Sequence, residues 1–449
     1  MSAPKTTLSS TARRDLLARL DAPEADFRRR YPGEGGRRQP VHVFYGGAHL
    51  FRADSARRLG ELALDALDRY APDPGAFAGA LDLDGLHAVA VYDRVREKLR
   101  REPVEDLRID FEDGYGNRPD EEEDAHAAAA AGEAAAGMAA GSLPPFLGIR
   151  LKPLTAQWRE RSLRTLDIFL TTLVEATGGR LPDGFVVTLA KITFPQQVSA
   201  LVDAFEQLEG GLQLAPGALK LEIMIETTQA LLGENGASAL GPLLDAARGR
   251  CRGAHFGAYD YTAACDITAA NQLMTHPACD FARQTMRAAL AGTGVRWVDG
   301  GTNILPTPVH RGVALTPAQL EENRAAVGAS WKLHFGHIRR SLADGFYQGW
   351  DLHPAQLPSR FAAVYSFFLE GLEDASARLR NLNRQAAQAT RLGAVFDDAA
   401  TGLGLLTYFR RALDCGAITG DEAAARTELP LDVLTGVKSI LPPAPRPSP

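Results

Sequence analysis

Several short apolar runs in this 449-residue chain end in charged side chains that could do chemistry. The charged residues at these run ends are Glu112 and Asp113, Arg150 and Lys152, Lys191, Glu226, and Asp260. A carboxylate buried beside apolar strands is costly unless a cation or hydrogen-bond donors compensate its charge. Glu226 and Asp260 end consecutive runs, and two carboxylates completed by waters and a substrate oxygen suit Mg²⁺ or Mn²⁺. We therefore predict a divalent-metal site with Glu226 and Asp260 as its ligands.

Eight such runs recur along the chain and predict the strands of a parallel sheet. They are short and rich in β-branched or aromatic residues, and most are followed by segments with helical periodicity. The runs span residues 41–47, 107–113, 146–152, 185–192, 221–226, 253–260, 295–300 and 347–353. Eight strand–helix units predict an α/β fold, a (β/α)8 TIM barrel in which the C-terminal ends of the strands share one mouth. The alternative is an open doubly wound sheet, which usually has fewer strands, and no G-x-G-x-x-G follows the first run.

The segments around the runs predict four regions. Residues 1–40 are polar and form an N-terminal arm, and residues 41–358 form the barrel. Residues 359–440 have helical periodicity and predict a helical C-terminal extension, or lid. Residues 441–449 form a Pro-rich tail that we expect to be disordered.

Composition excludes several classes of protein. Hydrophobic residues make up 45% of the chain and charged residues 23%, which is ordinary for a globular protein. The formal net charge of -6 argues against a nucleic-acid partner. No apolar stretch is long enough for a membrane span, and the N-terminus lacks the apolar core of a secretory signal. The four cysteines show no C-x-x-C spacing, so we expect a cytoplasmic protein without a zinc knuckle.

Six segments, taken together and in order, resemble a known enzyme family. They are RIDFEDGYG, GIRLKP, LAKITFPQQ, MIETTQAL, HFGAYDYTAACD and GFYQGWDLHPAQ. Over about residues 41–360 their order and spacing are similar to the L-D-x-E-D, R-V-N, P-K-V, I-E-T, F-G-x-x-D-L and G-x-x-I-H-P-x-Q motifs of the citrate lyase beta-subunit and malyl-CoA lyase superfamily, also called the HpcH/HpaI aldolases. The resemblance implies a metal-dependent carbon–carbon lyase or aldolase on a (β/α)8 barrel, and a homo-oligomer.

The resemblance also implies roles for individual residues. Glu226 and Asp260 match the two Mg²⁺ ligands of the family. Arg150 matches the arginine that contacts the substrate carboxylate or the developing enolate. Glu112 and Asp113 match the Glu-Asp pair that frames the metal site, and Asp113 is predicted to be catalytic.

Further residues complete the predicted site. The family often takes a late acid from the C-terminal lid of a neighbouring subunit, and Asp397 in AVFDD is the closest match, with Asp398 next to it. Lys152 replaces the family's asparagine and adds positive charge to the predicted mouth. Lys191 is predicted to bind substrate there, although it could equally be an ion-pair partner. Gly46 and Gly47 could cradle a phosphate with their backbone, or form a bare loop.

These residues together suggest a reaction. Cleavage of a carbon–carbon bond beside a carbonyl generates an enolate, which a divalent ion and a guanidinium would stabilise. We therefore hypothesise a divalent-metal-dependent lyase or aldolase acting on a small 2-oxo or 3-hydroxy acid, or on its CoA thioester. VHVFYGG replaces the family's F-V-P-G, and Asp113 stands where pyruvate aldolases carry a histidine, so both substrate branches remain open.

Two other functions compete with this hypothesis. The barrel could be a non-catalytic subunit that binds a metal or ligand without turnover. Phosphoryl transfer to or from pyruvate is disfavoured because the chain has no G-x-x-x-x-G-K-[ST] loop. Among the single residues, Arg150 could be a salt-bridge partner of Glu112 or Asp113. We assign structural roles to Asp110, His49, His255 and His353.

Overall fold

Eight parallel strands close into a barrel in which each strand pairs with the next in the chain and the last pairs with the first. The structure, a computed structural model, describes residues 6–83, 85–388 and 399–435. The strands are β1 (His42–Gly47), β2 (Asp106–Asp110), β3 (Phe146–Leu151), β4 (Val186–Leu189), β5 (Leu221–Ile225), β6 (Cys251–Phe256), β7 (Arg296–Gly301) and β8 (Gln348–Asp351). Each predicted run overlaps one strand, and the predicted (β/α)8 barrel is confirmed.

Helices surround the barrel. They are α1 (Ser10–Arg30), α2 (Ser55–Tyr70), α3 (Pro74–Leu81), α4 (Gly85–Arg101), α5 (Asp120–Ala140), α6 (Arg159–Thr177), α7 (Pro195–Gly211), α8 (Thr228–Leu231), α9 (Leu240–Ala246), α10 (Ala258–Ala264), α11 (Pro277–Leu290), α12 (Pro317–Ala343), α13 (Leu357–Glu370), α14 (Leu372–Gln388), α15 (Ala399–Asp414), α16 (Gly420–Thr427) and α17 (Leu431–Leu434). Local sequence explains several helix ends. The Ala-rich α5 begins with four acidic residues and ends at Gly141 in the left-handed conformation, while a capping box of Thr316 and Gln319 begins α12.

The barrel interior is unusually polar. Barrel interiors are commonly filled by branched aliphatic side chains. Here Arg108 is 1% exposed, and its guanidinium donates hydrogen bonds to Glu222 and to Asp106. Nε2 of His255 lies 3.0 Å from Oε2 of Glu222, and Nδ1 of the same ring lies 3.1 Å from the Tyr45 hydroxyl. The interior is therefore filled by paired charges below the level of the mouth.

The terminal segments pack against the outside of the barrel. Helix α1 buries no residue, and after it Gly33 donates its N–H to the carbonyl of Gly292. The C-terminal helices are anchored by a 2.7 Å ion pair between Arg94 and Glu422. Arg411 of α15 lies over the ring of Tyr347, just before β8, so α15 is placed at the N-terminal end of the strands. A lid over the mouth of a neighbouring subunit stays a prediction, and the tail, residues 441–449, lies outside the described residues.

Candidate functional site

A set of charged residues meets at the C-terminal ends of β2 to β6, and we call it the mouth cluster. Its members are Glu112, Asp113, Arg150, Lys191, Glu226 and Asp260. All six were predicted from the sequence to belong to the site. Their proximity follows from the topology, because the carboxyl ends of adjacent parallel strands converge on one rim.

Arg150 is held in place by the strand beside its own. Asp110 stands opposite Arg150 in the register of β2 and β3. Its carboxylate oxygens accept hydrogen bonds of 2.7 and 2.5 Å from Nε and Nη2 of Arg150. Burial disfavours the charged guanidinium, but Asp110 and Glu112 outweigh it and keep the pKa of Arg150 well above its ordinary value. One edge of the guanidinium is thus locked, and Nη1 remains to contact Glu112 at 3.2 Å and Asp113 at 3.3 Å.

Lys191 lies between Glu112 and Asp113 on one side and Asp260 on the other. Its Nζ lies 2.6 Å from Oε1 of Glu112, 3.4 Å from Oδ1 of Asp113 and 3.5 Å from Oδ2 of Asp260. Its backbone is left-handed, with φ of 49°, and its N–H donates a 2.5 Å hydrogen bond to Oε1 of Glu226. A left-handed non-glycine residue costs about 1–2 kcal/mol, so local strain accompanies this contact. Burial lowers the pKa of Lys191, but Glu226 and Glu112 outweigh it and raise the pKa.

Glu226 has an unsatisfied oxygen deep in the site. The residue is 1% exposed, and Oε2 has no hydrogen-bond partner among the described residues. Burial, with a further contribution from the charge of Asp260, raises the pKa of Glu226 to about 8 although Lys191 opposes the shift. A Cβ added at Gly257 would lie 2.6 Å from Oε2 and 2.5 Å from Cβ of Glu226. The absence of a side chain at Gly257 therefore provides the space that the carboxylate of Glu226 occupies.

Glu112 and Asp113 differ in their ionisation although they are neighbours in the chain. Burial, together with the negative charge of Asp113, raises the pKa of Glu112 to about 7 against the opposing effect of Arg150. The side chain of Asp113 is 57% exposed. Burial alone would raise its pKa, but its hydrogen bond with Glu112 and the charges of Arg150 and Lys191 lower it. Glu112 can thus hold a proton near neutral pH while Asp113 stays ionised.

The residues present fit a magnesium-like ion at Glu226 and Asp260. A buried carboxylate oxygen without a partner needs an explanation, and a cation ligated there would provide one. Within the described ranges, no group of three or more His, Cys, Asp or Glu side chains is arranged to hold a metal. The remaining ligands would therefore be water and substrate oxygens, which Mg²⁺ commonly keeps.

Four predicted residues lie apart from the mouth cluster or contribute no side chain to it. Lys152 is buried, and its Nζ contacts Glu123 of α5 at 2.6 Å and the carbonyl of Phe111 at 2.7 Å. Gly47 lies close to the carbonyl of Gly114, which a Cβ would approach to 2.3 Å, whereas a Cβ on Gly46 would meet nothing within 4 Å. Asp397, like Asp398, lies outside the described residues.

The sequence analysis missed the residues that support Arg150. It gave Asp110 a structural role without recognising it as the bidentate partner of the arginine. The ring of Tyr45 lies 4.7 Å from the guanidinium carbon, and that of Trp350 lies 6.0 Å from it. The alternation of Val43 and Tyr45 along β1 was the available signal, because every second residue of a barrel strand points inward.

The fold and the mouth cluster define a parallel (β/α)8 barrel with a cluster of charged residues at the C-terminal ends of its strands. Residues 20–440 match the family described as Domain of unknown function (DUF6986), and the chain belongs to that family. A comparison with curated protein sequences finds no match.

Solved structures share the architecture at low sequence identity. A citrate lyase from Burkholderia xenovorans LB400 is 17% identical with a TM-score of 0.54, and the match covers 86% of this chain and 96% of that one. A malate synthase from Haloferax volcanii is 14% identical with a TM-score of 0.46, covering 83% and 84%. An HpcH/HpaI aldolase/citrate lyase family protein from Burkholderia cenocepacia J2315 is 12% identical with a TM-score of 0.39, covering 80% and 99%. At these identities the likeness concerns the fold.

Proposed function

We propose that the chain is a divalent-metal-dependent carbon–carbon lyase or aldolase acting on a small 2-oxo or 3-hydroxy acid, free or as its CoA thioester. The observation that carries the proposal is Oε2 of Glu226, which is buried and unpartnered among the described residues, in a side chain whose Oε1 accepts the Lys191 N–H and whose pKa is raised further by the charge of Asp260. The order of the six sequence motifs and the barrel shared with a citrate lyase support it. Mg²⁺ or Mn²⁺ is the proposed cofactor, and the proposed assembly is a homo-oligomer in the cytoplasm.

Glu226 and Asp260 would hold the metal. When bound, the ion would supply Lewis acidity to the oxygens of the substrate. The residues around it are suited to that role because Lys191, through its backbone N–H, orients the other oxygen of Glu226. The side chain of Asp260 is 43% exposed, so a ligand can approach it from solvent.

Arg150 would bind the carboxylate or enolate oxygen of the substrate. Asp110 fixes its Nε and Nη2, so the substrate would contact Nη1, which otherwise contacts Glu112 and Asp113. A preorganised cation stabilises a developing negative charge without the cost of reorganising during the reaction. The neighbouring Glu112 and Asp113 keep this group charged and aimed, and an incoming carboxylate would compete with them for Nη1.

Glu112 would move the proton. A group that exchanges a proton with substrate works best when its pKa lies near the working pH, and the pKa of Glu112 is about 7. Lys191 donates to Oε1 at 2.6 Å and the Asp113 N–H donates to Oε2 at 3.1 Å, so both oxygens are oriented. Asp113, which stays ionised, would serve the reaction by orienting Lys191 and Arg150.

A metal titration followed by thermal unfolding tests the proposed site. Mg²⁺ or Mn²⁺ should raise the Tm of the wild-type chain. At a hundredfold excess of the ion over Kd, binding adds about 2.7 kcal/mol to the free energy of unfolding. Glu226→Gln removes the ligand charge with little change of shape and should abolish the shift. Glu121→Gln, an exposed substitution at the start of α5 with the same change of charge, should retain it.

Turnover distinguishes the lyase from a binding subunit. The chain is supplied with a panel of 2-oxo and 3-hydroxy acids, free and CoA-linked, and release of pyruvate, oxaloacetate or glyoxylate is followed. Metal-dependent turnover that is lost in Arg150→Lys would support the lyase, since the bidentate grip of Asp110 needs a guanidinium. A metal-induced Tm shift without turnover on any substrate would favour the non-catalytic subunit, and the absence of both would reject the site.

A further inference from the structure

A cavity lies at the end of the barrel opposite to the mouth cluster. Its volume is about 640 Å³, which is in the range of small-molecule sites. Its walls include Phe146, Val186 and Arg296, which are the first residues of β3, β4 and β7. The N-terminal end of a barrel is ordinarily a stabilising face, so a cavity of this size there is not explained by the reaction at the mouth. We call it the basal cavity.

The basal cavity has an excess of positive charge. Arg37, Lys220 and Arg252 line it, and no described carboxylate lies within 4.0 Å of their charged groups. Arg296 also lines it, and its nearest described carboxylate is Glu222, at 3.9 Å inside the barrel. Burial is the main cause that lowers the pKa of Lys220, Arg252 and Arg296, and neighbouring arginines add to it. Arg37, Lys220 and Arg252 therefore lack a paired carboxylate among the described residues, and Arg296 has one only at 3.9 Å.

The carboxylates that line the basal cavity do not neutralise these four cations. Glu34 is already engaged by Arg410 and Arg411, with 3.0 Å to the latter. Asp183, the other acidic residue in the lining, forms no ion pair among the described residues. An anion entering the cavity would meet cations from the arm and from the starts of three strands.

The rest of the lining is aromatic and apolar. Phe146, Phe185, Trp297 and Tyr347 contribute to the walls. The guanidinium of Arg296 lies 5.1 Å from the centre of the Phe146 ring, which fixes the cation beside a flat surface. Inorganic ions do not need such walls, whereas an organic anion with a planar body would bury them.

The N-terminal arm completes the basal cavity. Gly33 is tied to the loop after α11 through its 2.8 Å hydrogen bond to Gly292, and Glu34 is tied to α15. These two anchors hold the next residues, Gly35 to Gln39, across the bottom of the barrel as one wall. The cavity is thus built from the arm, from α15 and from residues at the N-terminal ends of several strands.

We propose that the basal cavity binds a phosphorylated organic anion with a flat aromatic body, the chemistry of a nucleotide. The phosphate oxygens would pair with Arg37, Lys220 and Arg252, and the flat body would lie against the aromatic wall near Arg296. Charge-assisted hydrogen bonds from arginine to phosphate are among the strongest available to a protein. This site shares no residue with the metal site or with the mouth cluster, and the proposal does not rest on the proposed function.

Calorimetric titration of the full chain in EDTA tests the proposal with three probes. ATP carries both chemical features, tripolyphosphate carries the charge alone, and adenosine carries the flat body alone. We expect saturable binding of ATP, weaker binding of tripolyphosphate, and none of adenosine at the same concentrations. In Arg37→Gln/Arg252→Gln the Kd for ATP should rise at least tenfold, and in Arg14→Gln/Arg19→Gln, exposed substitutions on α1 with the same change of net charge, it should not.

Several outcomes would overturn the proposal. No saturable ATP binding up to about 1 mM would remove the site. Equal weakening in both double variants would show a non-specific charge effect, and loss of binding in Glu226→Gln would place ATP at the mouth. Tripolyphosphate binding as tightly as ATP would reject the flat organic body. Circular dichroism and the Tm of each variant show that it is folded, so a loss of binding is not read from an unfolded chain.

Discussion

The direction of each side chain at the mouth depends on where its strand ends. Arg150 and Lys152 are two residues apart, and strict alternation would point both into the barrel. Strand β3 ends at Leu151, so Lys152 lies beyond the last paired residue and turns outward to Glu123. The resemblance of motifs predicted Arg150, Glu226 and Asp260 without knowledge of this boundary. The grip of Asp110 on Arg150 was not predictable, because it depends on the register between two strands that are distant in sequence.

Gly257 provides a test of the room around Glu226. In Gly257→Ala the new methyl group would overlap Glu226 at 2.5–2.6 Å, so either the carboxylate or the backbone must move. We expect a loss of about 1–3 kcal/mol of stability, typical of overpacking, together with loss of the metal-induced Tm shift. Denaturant unfolding measures the first and a Mg²⁺ titration the second.

Gly132→Ala is the matched control for that substitution. A Cβ at Gly132, inside α5, would meet nothing within 4 Å, and alanine favours helix over glycine by about 0.5–1 kcal/mol. This variant should be as stable as the wild type or more so, with its metal response intact. An intact metal response in Gly257→Ala would show that Glu226 is not confined as described.

Among the elements, β8 carries a large buried ion-pair network although it is only four residues long. Asp351, at its end, is fully buried, accepts hydrogen bonds from Arg360 of α13, and lies 2.7 Å from Nδ1 of His42 in β1. His334 of α12 lies 3.1 Å from the same carboxylate. Burial would raise the pKa of Asp351, but these partners hold it well below its ordinary value. The strand that closes the barrel is therefore fixed by charge as well as by backbone pairing.

Removing that charge should destabilise the closure of the barrel. Asp351→Asn leaves Arg360 buried without its carboxylate, and breaking a buried pair costs about 3–5 kcal/mol. Urea unfolding measures the loss. Asp21→Asn, an exposed substitution on α1, should change stability by no more than about 0.5 kcal/mol. A cost below about 1 kcal/mol for Asp351→Asn would contradict the role assigned to the network.

Element boundaries were predicted less well than element positions. Strand β6 begins at Cys251, two residues before the predicted run 253–260, and ends at Phe256, while the rest of the run enters α10. Asp260 thus lies in the first turn of a helix rather than at a strand end. The sequence Gly257-Ala258-Tyr259 is compatible with a strand or with a helix. The chain turns at the barrel rim after Phe256, and this turn ends the strand and begins the helix.

At the scale of the whole molecule, folding keeps histidines neutral between the barrel and α12. Burial, with the nearby His334, lowers the pKa of His337 from 6.5 to about 4. Its Nδ1 lies 2.8 Å from the hydroxyl of Thr302, in the loop after β7. The unfolded chain binds a proton at this position more readily than the folded one. The stability that depends on the neutral ring is therefore present above pH 6.5 and is lost as the pH falls from 6.5 towards 4.

A comparison of variants isolates this effect from the titration of the carboxylates. The difference in Tm between wild type and His337→Gln should shrink from pH 7 to pH 4.5, because only the wild type loses stability through this ring. Val89→Gln, an exposed substitution on α4 that changes no ionisable group, serves as the control and should show a constant difference. A constant difference for His337→Gln as well would falsify the assignment.

The number of strand–helix units was enough to predict closure of the barrel, whereas the basal cavity could not be predicted. The arm, the starts of β3 to β7 and α15 contribute to it from regions distant in sequence. Each contributing arginine alone is indistinguishable from a solvated surface residue. Within the described residues, no helix has the length and apolarity to cross a membrane, as the sequence predicted.

A row of polar side chains inside the barrel runs from the basal cavity to the mouth cluster. From the basal side, Arg296 lies 3.9 Å from Glu222, Glu222 lies 3.0 Å from His255, and His255 lies 3.1 Å from Tyr45. The ring of Tyr45 in turn lies under Arg150 at the mouth. Because Glu222 and His255 are buried inside the barrel, dissolved salt screens the charges of this row only weakly. An anion that neutralises Arg296 in the basal cavity would therefore change the electrostatic potential at Arg150, at the opposite end of the barrel.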